Sequence, residues 1–275
     1  MISDIFIKQL ILDKIMKIIV CIKQVPNTTE IKINPTTGTL IRDGVASIMN
    51  PDDKGGLEEA LKLKDKYNAH ITVITMGLPQ ADDILRESLA MGADRAILLT
   101  DRKLGGADTL ATSNALAAAL KQLEFDLVIT GRQAIDGDTA QVGPQIAEHL
   151  DLPQVTYLEN IEYDGKKTFT IQKSTEDGYQ ILEVDSPCVV TVLASANKAR
   201  YMSVRGIVEA YDKEVEVWGF DKLGIDEEKV GLKGSPTKVF KAFTRGVKSA
   251  GEVFEVDAEE AVGIIMSKLK EKYII

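Results

Sequence analysis

The segment from Gly131 to Pro144, GRQAIDGDTAQVGP, carries the residue types of this chain best suited to binding chemistry. It follows an apolar run at 126–130, typical of a buried strand, and precedes residues 145–150, typical of a helix. Open α/β sheets bind nucleotides and other anions in such strand-to-helix loops. Because proline is well placed at the first position of a helix, Pro144 predicts that regular helix begins near residue 143 or 144.

The turn before that helix is expected to leave backbone amides free. The amides of residues 139–142 have no intrahelical acceptor in this arrangement, and a phosphate or pyrophosphate would satisfy them. Thr139 could add a hydroxyl and Arg132 a positive charge. The carboxylates of Asp136 and Asp138 could accept from the ligand or instead cap local amides. Gly137 permits close approach or a positive φ. The alternative, a solvated turn, would make this whole combination of residues incidental.

Strand and helix patterns alternate along residues 17–150, which predicts an α/β fold with a doubly wound parallel sheet and right-handed crossovers. The predicted strands are 17–22, 71–75, 96–100 and 126–130, and the predicted helices are 57–63, 81–91, 108–123 and 145–150. The strand-end loops should converge on one crevice: 76–81, 101–108 and 131–143. Asn50 and Asp53 enter this crevice from the side of a predicted hairpin at 31–41.

The hydrophobic pattern changes after residue 150. Alternating patterns predict an antiparallel addition at the sheet edge, with strands at 155–162, 168–173 and 179–184, and a further buried strand follows at 189–193. Residues 231–236 are typical of a linker. The apolar and basic stretch at 237–250 indicates an arm that packs either on another protein or back on its own sheet. An amphipathic helix is predicted at 258–272.

Residues 1–15 are apolar but interrupted by charges, and they lack a cleavage site for a signal peptidase. We interpret them as an extension outside the main fold, and a short amphipathic helix docked on a partner is the alternative. The expected organisation is therefore an extension at 1–15, an α/β nucleotide-binding domain at 16–230, and a C-terminal arm and helix at 231–275.

Composition excludes several function classes. The 275 residues are 44% hydrophobic and 27% charged, as in ordinary globular proteins, and the net charge of −9 argues against nucleic acid as a partner. Cys21 and Cys188 are expected to be buried free thiols, which fits a reducing cytoplasm and indicates neither a disulfide nor a zinc site. No apolar run approaches the roughly 18 residues of a membrane span.

Catalytic motifs are missing from the sequence. It has neither a G-x-G-x-x-G fingerprint after a strand nor a G-x-S-x-G elbow, and residues 231–238 lack the Gly-Lys-Ser/Thr ending of a phosphate loop. His70 and His149 are unpaired and expected at the surface. No side chain is expected to act as a general acid or base. The pattern favours a protein that holds a cofactor, or a regulator, over a hydrolase.

Five segments together resemble the β subunit of electron-transfer flavoproteins: 17–26 (KIIVCIKQVP), 49–54 (MNPDDK), 90–95 (AMGADR), the 131–144 loop, and 200–206 (RYMSVRG). The resemblance extends from Met16 to about residue 250. It implies an αβ heterodimer in which the β subunit is an adenine nucleotide hydrolase-like α/β domain whose C-terminal arm reaches the α subunit. The α subunit of this family holds one FAD. The β crevice holds AMP in simple members, and a second FAD that takes a hydride from NADH in electron-bifurcating members.

The 131–144 loop and the Asn50–Asp53 segment resemble the bifurcating kind, which implies FAD in the crevice with NADH as electron donor; AMP is the alternative. Simple members have Asn-Gln-Thr where this chain has Ala140-Gln-Val142, so part of the side-chain contact to AMP is absent. The resemblance implies this set of cofactor-binding residues: Cys21, Asn50, Asp53, Met76, Gly77, Leu78, Thr109, Gly131, Arg132, Gln133, Ala134, Asp136, Gly137, Asp138, Thr139, Ala140, Gln141, Val142 and Gly143.

The resemblance also implies partners. One electron would go to ferredoxin or flavodoxin, and the other, through the α-subunit FAD, to an acyl-CoA, enoyl-CoA or lactate dehydrogenase in anaerobic metabolism. The 196–206 loop would dock on that dehydrogenase, with Val204 where the family usually has leucine. The chain would be redox active only within the αβ complex. A stand-alone nucleotide-binding regulator is the alternative from a different functional class.

Overall fold

The computed structural model describes residues 15–27, 46–238 and 251–275. The predicted hairpin at 31–41 lies outside these ranges, and so do nearly all of the predicted extension at 1–15 and of the apolar stretch at 237–250. The described strands are β1 (Lys17–Cys21), β2 (Gln24–Pro26), β3 (Ser47–Met49), β4 (His70–Met76), β5 (Arg95–Leu99), β6 (Leu127–Gly131), β7 (Gln154–Tyr163), β8 (Thr168–Thr175), β9 (Gly178–Asp185), β10 (Cys188–Val192) and β11 (Val215–Trp218).

Nine of these strands form one sheet in the order β11-β5-β4-β1-β6-β10-β7-β8-β9, and β2 pairs with β3. From β11 to β7 every neighbouring pair is parallel, and β8 and β9 continue the sheet antiparallel. The strands at the centre are apolar and buried, as parallel strands covered on both faces require. The predicted parallel α/β sheet with an antiparallel addition is confirmed.

Two strands of the sheet differ from the prediction. The sequence pattern predicts β7 as part of the antiparallel addition, but β7 pairs parallel with β10 along one side and antiparallel with β8 along the other. β11 was not predicted. It is only four residues long, Val215 to Trp218, so its period of two is too short to stand out from the surrounding sequence.

Helices cover both faces of the sheet, which makes it doubly wound. The described helices are α1 (Pro51–Tyr67), α2 (Asp82–Met91), α3 (Thr109–Leu120), α4 (Val142–Leu150), α5 (Val204–Asp212), α6 (Phe220–Leu223) and α7 (Ala258–Glu271). One buried cluster joins α1, α2 and α5 to the sheet, and a second joins α3, α4 and α6 to its other face. None of the helices among the described residues has the length and apolar character to cross a membrane.

The strand order places a topological switch point between β1 and β6. From β1 the chain moves outward through β4 to β5, and it then returns to the other side of β1 to form β6. The connections after β1 and β6 therefore leave the sheet in opposite directions, and a crevice opens at their carboxyl ends, Cys21 and Gly131. The loop singled out from the sequence follows β6 at this point.

Several local predictions are confirmed with shifted bounds. Helix α1 starts at Pro51, directly after Asn50, and runs to Tyr67, so it is far longer than its apolar pattern at 57–63. Helix α2 ends at Met91 with Gly92 after it in the left-handed region, φ 128°, as predicted. Helix α4 starts two residues before Pro144.

The predicted linker at 231–236 is a packed turn for most of its length. The Ser235 hydroxyl donates to the carbonyl of Gly231 at 2.7 Å and accepts from the amide of Asp108 at 2.8 Å. Gly231 is buried with φ 57°, and a Cβ there would lie 1.9 Å from the carbonyl oxygen of Lys103. These contacts hold the turn against the β5–α3 connection, so the chain does not leave the domain at residue 231.

The two histidines have different surroundings. His70 is exposed at the start of β4, as predicted. His149 is only half-buried rather than at the open surface, and its Nε2 lies 3.1 Å from the hydroxyl of Ser113 on α3. This contact between α3 and α4 was not predicted, because the two residues are 36 positions apart.

Candidate functional site

The carboxyl ends of β1 and β6 are joined beneath the crevice by the side chain of Asp53. Its oxygens accept hydrogen bonds from the backbone amides of Lys23, at 2.8 Å, and Gly131, at 3.0 Å. Asp53 is 7% exposed and lies in the first turn of α1, where a carboxylate also suits the helix dipole. One buried side chain thus connects this helix to both strands of the switch point.

Asn50 supports the loop after β6 in a similar way. Its Nδ2 donates to the carbonyl of Gln133 at 2.8 Å, and its Oδ1 accepts from the amide of Ile135 at 3.1 Å. The residue is fully buried and makes no side-chain cap to its own helix. The structure therefore places the side chains of Asn50 and Asp53 below the loop, where they hold its backbone.

Gly131 and Gly143 allow the loop to approach its neighbours closely. A Cβ on Gly131 would lie 2.2 Å from Oδ1 of Asp53, and a Cβ on Gly143 would lie 2.6 Å from Oγ1 of Thr130. Neither glycine has a positive φ. Both positions need glycine because of the space available, and not because of the backbone conformation.

Burial changes the acidity of two groups under the crevice. Desolvation raises the pKa of Asp53 from 3.8 to about 7, although the hydrogen bonds that it accepts from Lys23 and Gly131 lower it. The pKa of the Cys21 thiol is raised to about 12, first by burial and then by the charge of Asp53. Cys21 therefore stays a protonated thiol near neutral pH and cannot serve as a nucleophile. Cys188 is buried and free as well, so the prediction of two buried thiols is confirmed.

The turn before α4 has a strained backbone. Asp138 and Ala140 have φ values of 50° and 53°, in the left-handed region. The amides of Thr139, Ala140 and Gln141 donate to no acceptor within the described ranges of the chain. The free amides expected from the sequence are therefore present, in a turn of the kind that binds anions.

Gly137 is not among the left-handed residues, so of the two possibilities for it, close approach or a positive φ, the structure does not show the positive φ. A Cβ at this position would meet nothing within 4 Å. The amides of Gly137 and Asp138 both donate to the carbonyl of Ala134, at 3.2 and 2.9 Å, and the chain turns left-handed only after this contact. Aspartate tolerates that conformation better than most residues, whereas Ala140 gains nothing from its side chain there.

Polar side chains bond the loop to its surroundings, so fewer of its side chains are available to a ligand than the sequence predicts. Three contacts do so: Lys23 Nζ to both oxygens of Asp136 at 2.6 and 2.8 Å, Gln133 Nε2 to Oδ1 of Asp138 at 2.9 Å, and Thr109 Oγ1 to Oε1 of Gln141 at 2.8 Å. Asp136 and Asp138 thus act first as local acceptors. Thr109 brings the amino terminus of α3 to the loop.

Arg132 follows β6 directly, and its side chain lies against neighbours. Its Nε is 3.4 Å from Oδ2 of Asp52, and its guanidinium carbon is 5.9 Å from the ring centre of Tyr157. Much of its charge is therefore balanced inside the fold, which reduces what it can offer to a phosphate.

The remaining predicted residues lie along the same edge of the sheet. Cys21 is in register with Thr130 across the β1–β6 pair, and residues 76–78 leave the carboxyl end of β4, the strand on the other side of β1. Leu78 is 53% exposed, and Ile135 of the 131–143 loop is 41% exposed. Within the described ranges, no hydrogen bond joins residues 76–78 to the 131–143 loop. The structure thus connects that loop directly to Asn50, Asp53 and Thr109, and to residues 76–78 only through the sheet.

Sequence reasoning missed Asp52 and Lys23. Asp52 is buried and contacts the 131–143 loop, and Lys23 closes on Asp136 from the end of β1. Asp52 is an acidic residue in the first turn of a helix, a place where aspartate is common for local reasons, so its type carried no distinguishing signal. No group of three or more His, Cys, Asp or Glu residues that could hold a metal is found among the described residues.

Comparison with known proteins decides the family. A model of the electron transfer flavoprotein domain matches residues 37–223, more than half of the chain. The chain belongs to the electron transfer flavoprotein family. The family agrees with the fold, a large parallel sheet flanked by helices.

Individual relatives of the electron transfer flavoprotein family match over nearly the whole chain. The electron transfer flavoprotein subunit beta of Clostridium acetobutylicum is 58% identical over 260 residues, covering 94% of this chain and 100% of the relative. The caffeyl-CoA reductase-Etf complex subunit CarD of Acetobacterium woodii is 52% identical, and the acryloyl-CoA reductase electron transfer subunit gamma of Anaerotignum propionicum is 45% identical, each with the same two coverages. Within the family, this chain is thus of the β-subunit type.

Proposed function

We propose that this chain is the β subunit of a heterodimeric electron transfer flavoprotein of the bifurcating kind, and that its crevice binds FAD. A flavin bound there would accept a hydride from NADH. It would pass one electron to ferredoxin or flavodoxin and the other, through the α-subunit FAD, to a dehydrogenase. The names of two relatives, subunits of a caffeyl-CoA reductase complex and of an acryloyl-CoA reductase, support a role beside a CoA-ester reductase.

The observation that carries the proposal is the turn at 139–141. Three successive amides lack acceptors within the described residues, two residues of this region are left-handed, and the turn lies at the switch point of the sheet. The turn precedes the amino terminus of α4, whose dipole favours a negative charge. This arrangement fits the pyrophosphate of a dinucleotide, and it equally fits the phosphate of AMP.

The other residues of the site would position the ligand. Asn50 and Asp53 would hold the loop backbone, and the exposed side chains of Leu78 and Ile135 would shield an apolar ring from water. Cys21 would line the base as a neutral thiol. In this proposal no side chain of the chain transfers a proton.

The choice between FAD and AMP depends on the side chains of the turn. Ala140 and Val142 offer no polar group, so at these two positions a phosphate would contact only backbone amides. Both ligands would place a phosphate on this turn, but a dinucleotide would gain additional contacts from its second half. AMP in a non-bifurcating β subunit is the alternative outcome.

Two exposed apolar surfaces fit the proposed partners. Residues 201–211 expose Tyr201, Val204 and Tyr211 by 89%, 82% and 74%, and this surface would dock on the dehydrogenase. Helix α7 buries none of its residues, and its apolar positions Val262, Ile265 and Met266 follow helical spacing. It would pack, with the arm before it, on the α subunit in the cytoplasm.

Bifurcation is tested with the purified αβ complex, a ferredoxin and the dehydrogenase partner. The expected result is that NADH reduces ferredoxin only while the dehydrogenase and its acceptor turn over. Reduction of the dehydrogenase by NADH without any requirement for ferredoxin would indicate a non-bifurcating protein and would contradict the proposal.

A further inference from the structure

The carboxylate of Asp52 joins two segments that are far apart in sequence. Its Oδ2 accepts from the amide of Gln133 at 3.2 Å, in the 131–143 loop, and its Oδ1 accepts from the amide of Ala194 at 3.0 Å. The partners are 81 and 142 residues away from it. Asp52 is 7% exposed, so its oxygens have little water to replace either amide. Losing the amide of Ala194 would therefore leave Oδ1 unsatisfied, whereas Oδ2 also has Nε of Arg132 at 3.4 Å.

Residues 194–200, which we call the anchor segment, are fixed along α1 by further contacts. Asn197 Nδ2 donates to the carbonyl of Gly55 at 2.9 Å and to Oε1 of Glu59 at 2.8 Å. The guanidinium of Arg200 makes a bidentate pair with Glu58, with contacts of 2.9 and 3.0 Å, and Glu58 is 6% exposed. The anchor segment thus rests on the same helix whose first turn supports the 131–143 loop.

The anchor segment leads directly into the exposed apolar surface. Met202 is 41% exposed and Val204 82% exposed, and both follow Arg200 within four residues. Such a surface has a defined shape only if the backbone before it is fixed. Carboxylates fix both ends of the anchor segment, Asp52 at Ala194 and Glu58 at Arg200.

We propose that Asp52 is a positioning residue that makes the order of the anchor segment depend on whether the crevice is occupied. This rests on the proposed function only in assuming that a nucleotide occupies the crevice and that residues 201–211 dock a partner. A phosphate on the amides of 139–141 restricts the loop that contains Gln133. With Gln133 held, both carboxylate oxygens of Asp52 are fixed, and the amide of Ala194 keeps its acceptor. Without the ligand the backbone of Gln133 is held by its contacts to Asn50 and Asp52, so the loop is less restricted and the contact of Asp52 to Ala194 weakens.

The coupling is reciprocal. If occupancy of the crevice orders the anchor segment, a partner docked on residues 201–211 must tighten nucleotide binding by the same factor. Typical coupling factors between sites lie at about 5- to 150-fold. A role of Asp52 in stability alone would instead loosen the anchor segment equally with and without nucleotide.

Hydrogen exchange of the αβ complex, followed by mass spectrometry, measures this coupling directly. The complex is compared as purified, after removal of its flavin, and after FAD is added back. In the unsubstituted protein, exchange in peptides covering 195–200 should be at least about fivefold slower with nucleotide than without. In Asp52→Asn the exchange rates of these peptides with and without nucleotide should differ by no more than about twofold. Peptides covering 131–143 should still gain protection when FAD is added.

The control is Asp83→Asn. Asp83 is an exposed acidic residue in the first turn of α2, so the substitution removes a matched charge near a helix amino terminus without touching either segment. It should keep the response of the unsubstituted protein. If the unsubstituted protein shows no response at 195–200, or if Asp52→Asn keeps the full response, the proposal is wrong.

A second variant covers the case in which Asp52→Asn lowers nucleotide binding. Ala194→Pro removes only the amide on the anchor side of Asp52. Leu193 is extended with ψ 140° and Ala194 opens a short 3-10 turn, so proline suits this position. It should abolish the response at 195–200 and leave the protection of 131–143 unchanged, and a retained response would contradict the proposal. If the complex is purified with AMP instead of FAD, the same comparison is made with AMP, so failure of the cofactor assignment and failure of the coupling are distinguishable.

Discussion

The carboxylate of Asp53 and the backbone of Gly131 are in direct contact beneath the crevice, with 3.0 Å between Oδ1 and the amide nitrogen. A Cβ on Gly131 would lie 2.2 Å from that oxygen and 2.7 Å from the Asp53 amide. The first turn of α1 is thus seated on the last residue of β6. The position of the 131–143 loop follows from this contact.

Gly131→Ala should therefore disturb the site, whereas Gly137→Ala should not. The new methyl group at 131 meets the buried carboxylate and the α1 backbone, and such overpacking costs about 1–3 kcal/mol. At 137 it meets nothing within 4 Å. The melting temperature and nucleotide content of the αβ complex should fall for Gly131→Ala and stay unchanged for Gly137→Ala. Equal behaviour of the two variants would show that the close approach at 131 is unimportant.

Asp53 predicts a specific dependence of stability on pH. Its pKa is raised from 3.8 in the unfolded chain to about 7 in the fold. Between about pH 4 and pH 7 the folded state keeps a proton that the unfolded state has lost, so the free energy of unfolding falls as pH rises through this window. The limiting slope is about 1.4 kcal/mol per pH unit.

Asp53→Asn should remove this component. The variant is expected to be less stable overall, since its amide group places a donor against a backbone donor, so the slope and not the absolute value is the readout. Urea unfolding of the αβ complex at several pH values measures it, with Asp83→Asn as the control for loss of one acidic group. Parallel curves for Asp53→Asn and the unsubstituted protein would contradict the raised pKa.

Ala140 predicts that a glycine stabilises the loop. Its φ of 53° costs an alanine about 1–2 kcal/mol, and glycine adopts this conformation freely. Glycine also raises the conformational entropy of the unfolded chain, which offsets part of this gain. Ala140→Gly should therefore raise the free energy of unfolding by about 0.5–1 kcal/mol. Ala134→Gly, in the same loop without a left-handed φ, should lose a similar amount. The melting temperature of the complex measures both effects. A change of the same sign in both variants would show that the left-handed turn at 140 carries no strain.

The sequence was informative where one short pattern determines the structure. Buried apolar runs located β1, β4, β5, β6 and β10, and Gly92 marked the end of α2. It was also sufficient to find the 131–143 loop, since strand, loop and helix follow one another there. Local sequence does not decide the backbone of this turn: Gly137 permits a positive φ, but the left-handed residues are Asp138 and Ala140, which follow the two hydrogen bonds to the carbonyl of Ala134.

What the sequence could not show are contacts made across the fold. Asn50 and Asp53 are predicted site residues, but their attachment to the loop backbone depends on residues 78 or more positions away. Asp52 was missed for the same reason. Its type suits any helix start, and only the folded chain brings Gln133 and Ala194 to its two oxygens.

The nucleotide content of the αβ complex distinguishes FAD from AMP in the crevice. Purified complex is denatured, and the released nucleotides are separated and quantified against protein. We expect two FAD per heterodimer, with one of them lost selectively in Gly131→Ala. One FAD and one AMP per heterodimer would contradict it.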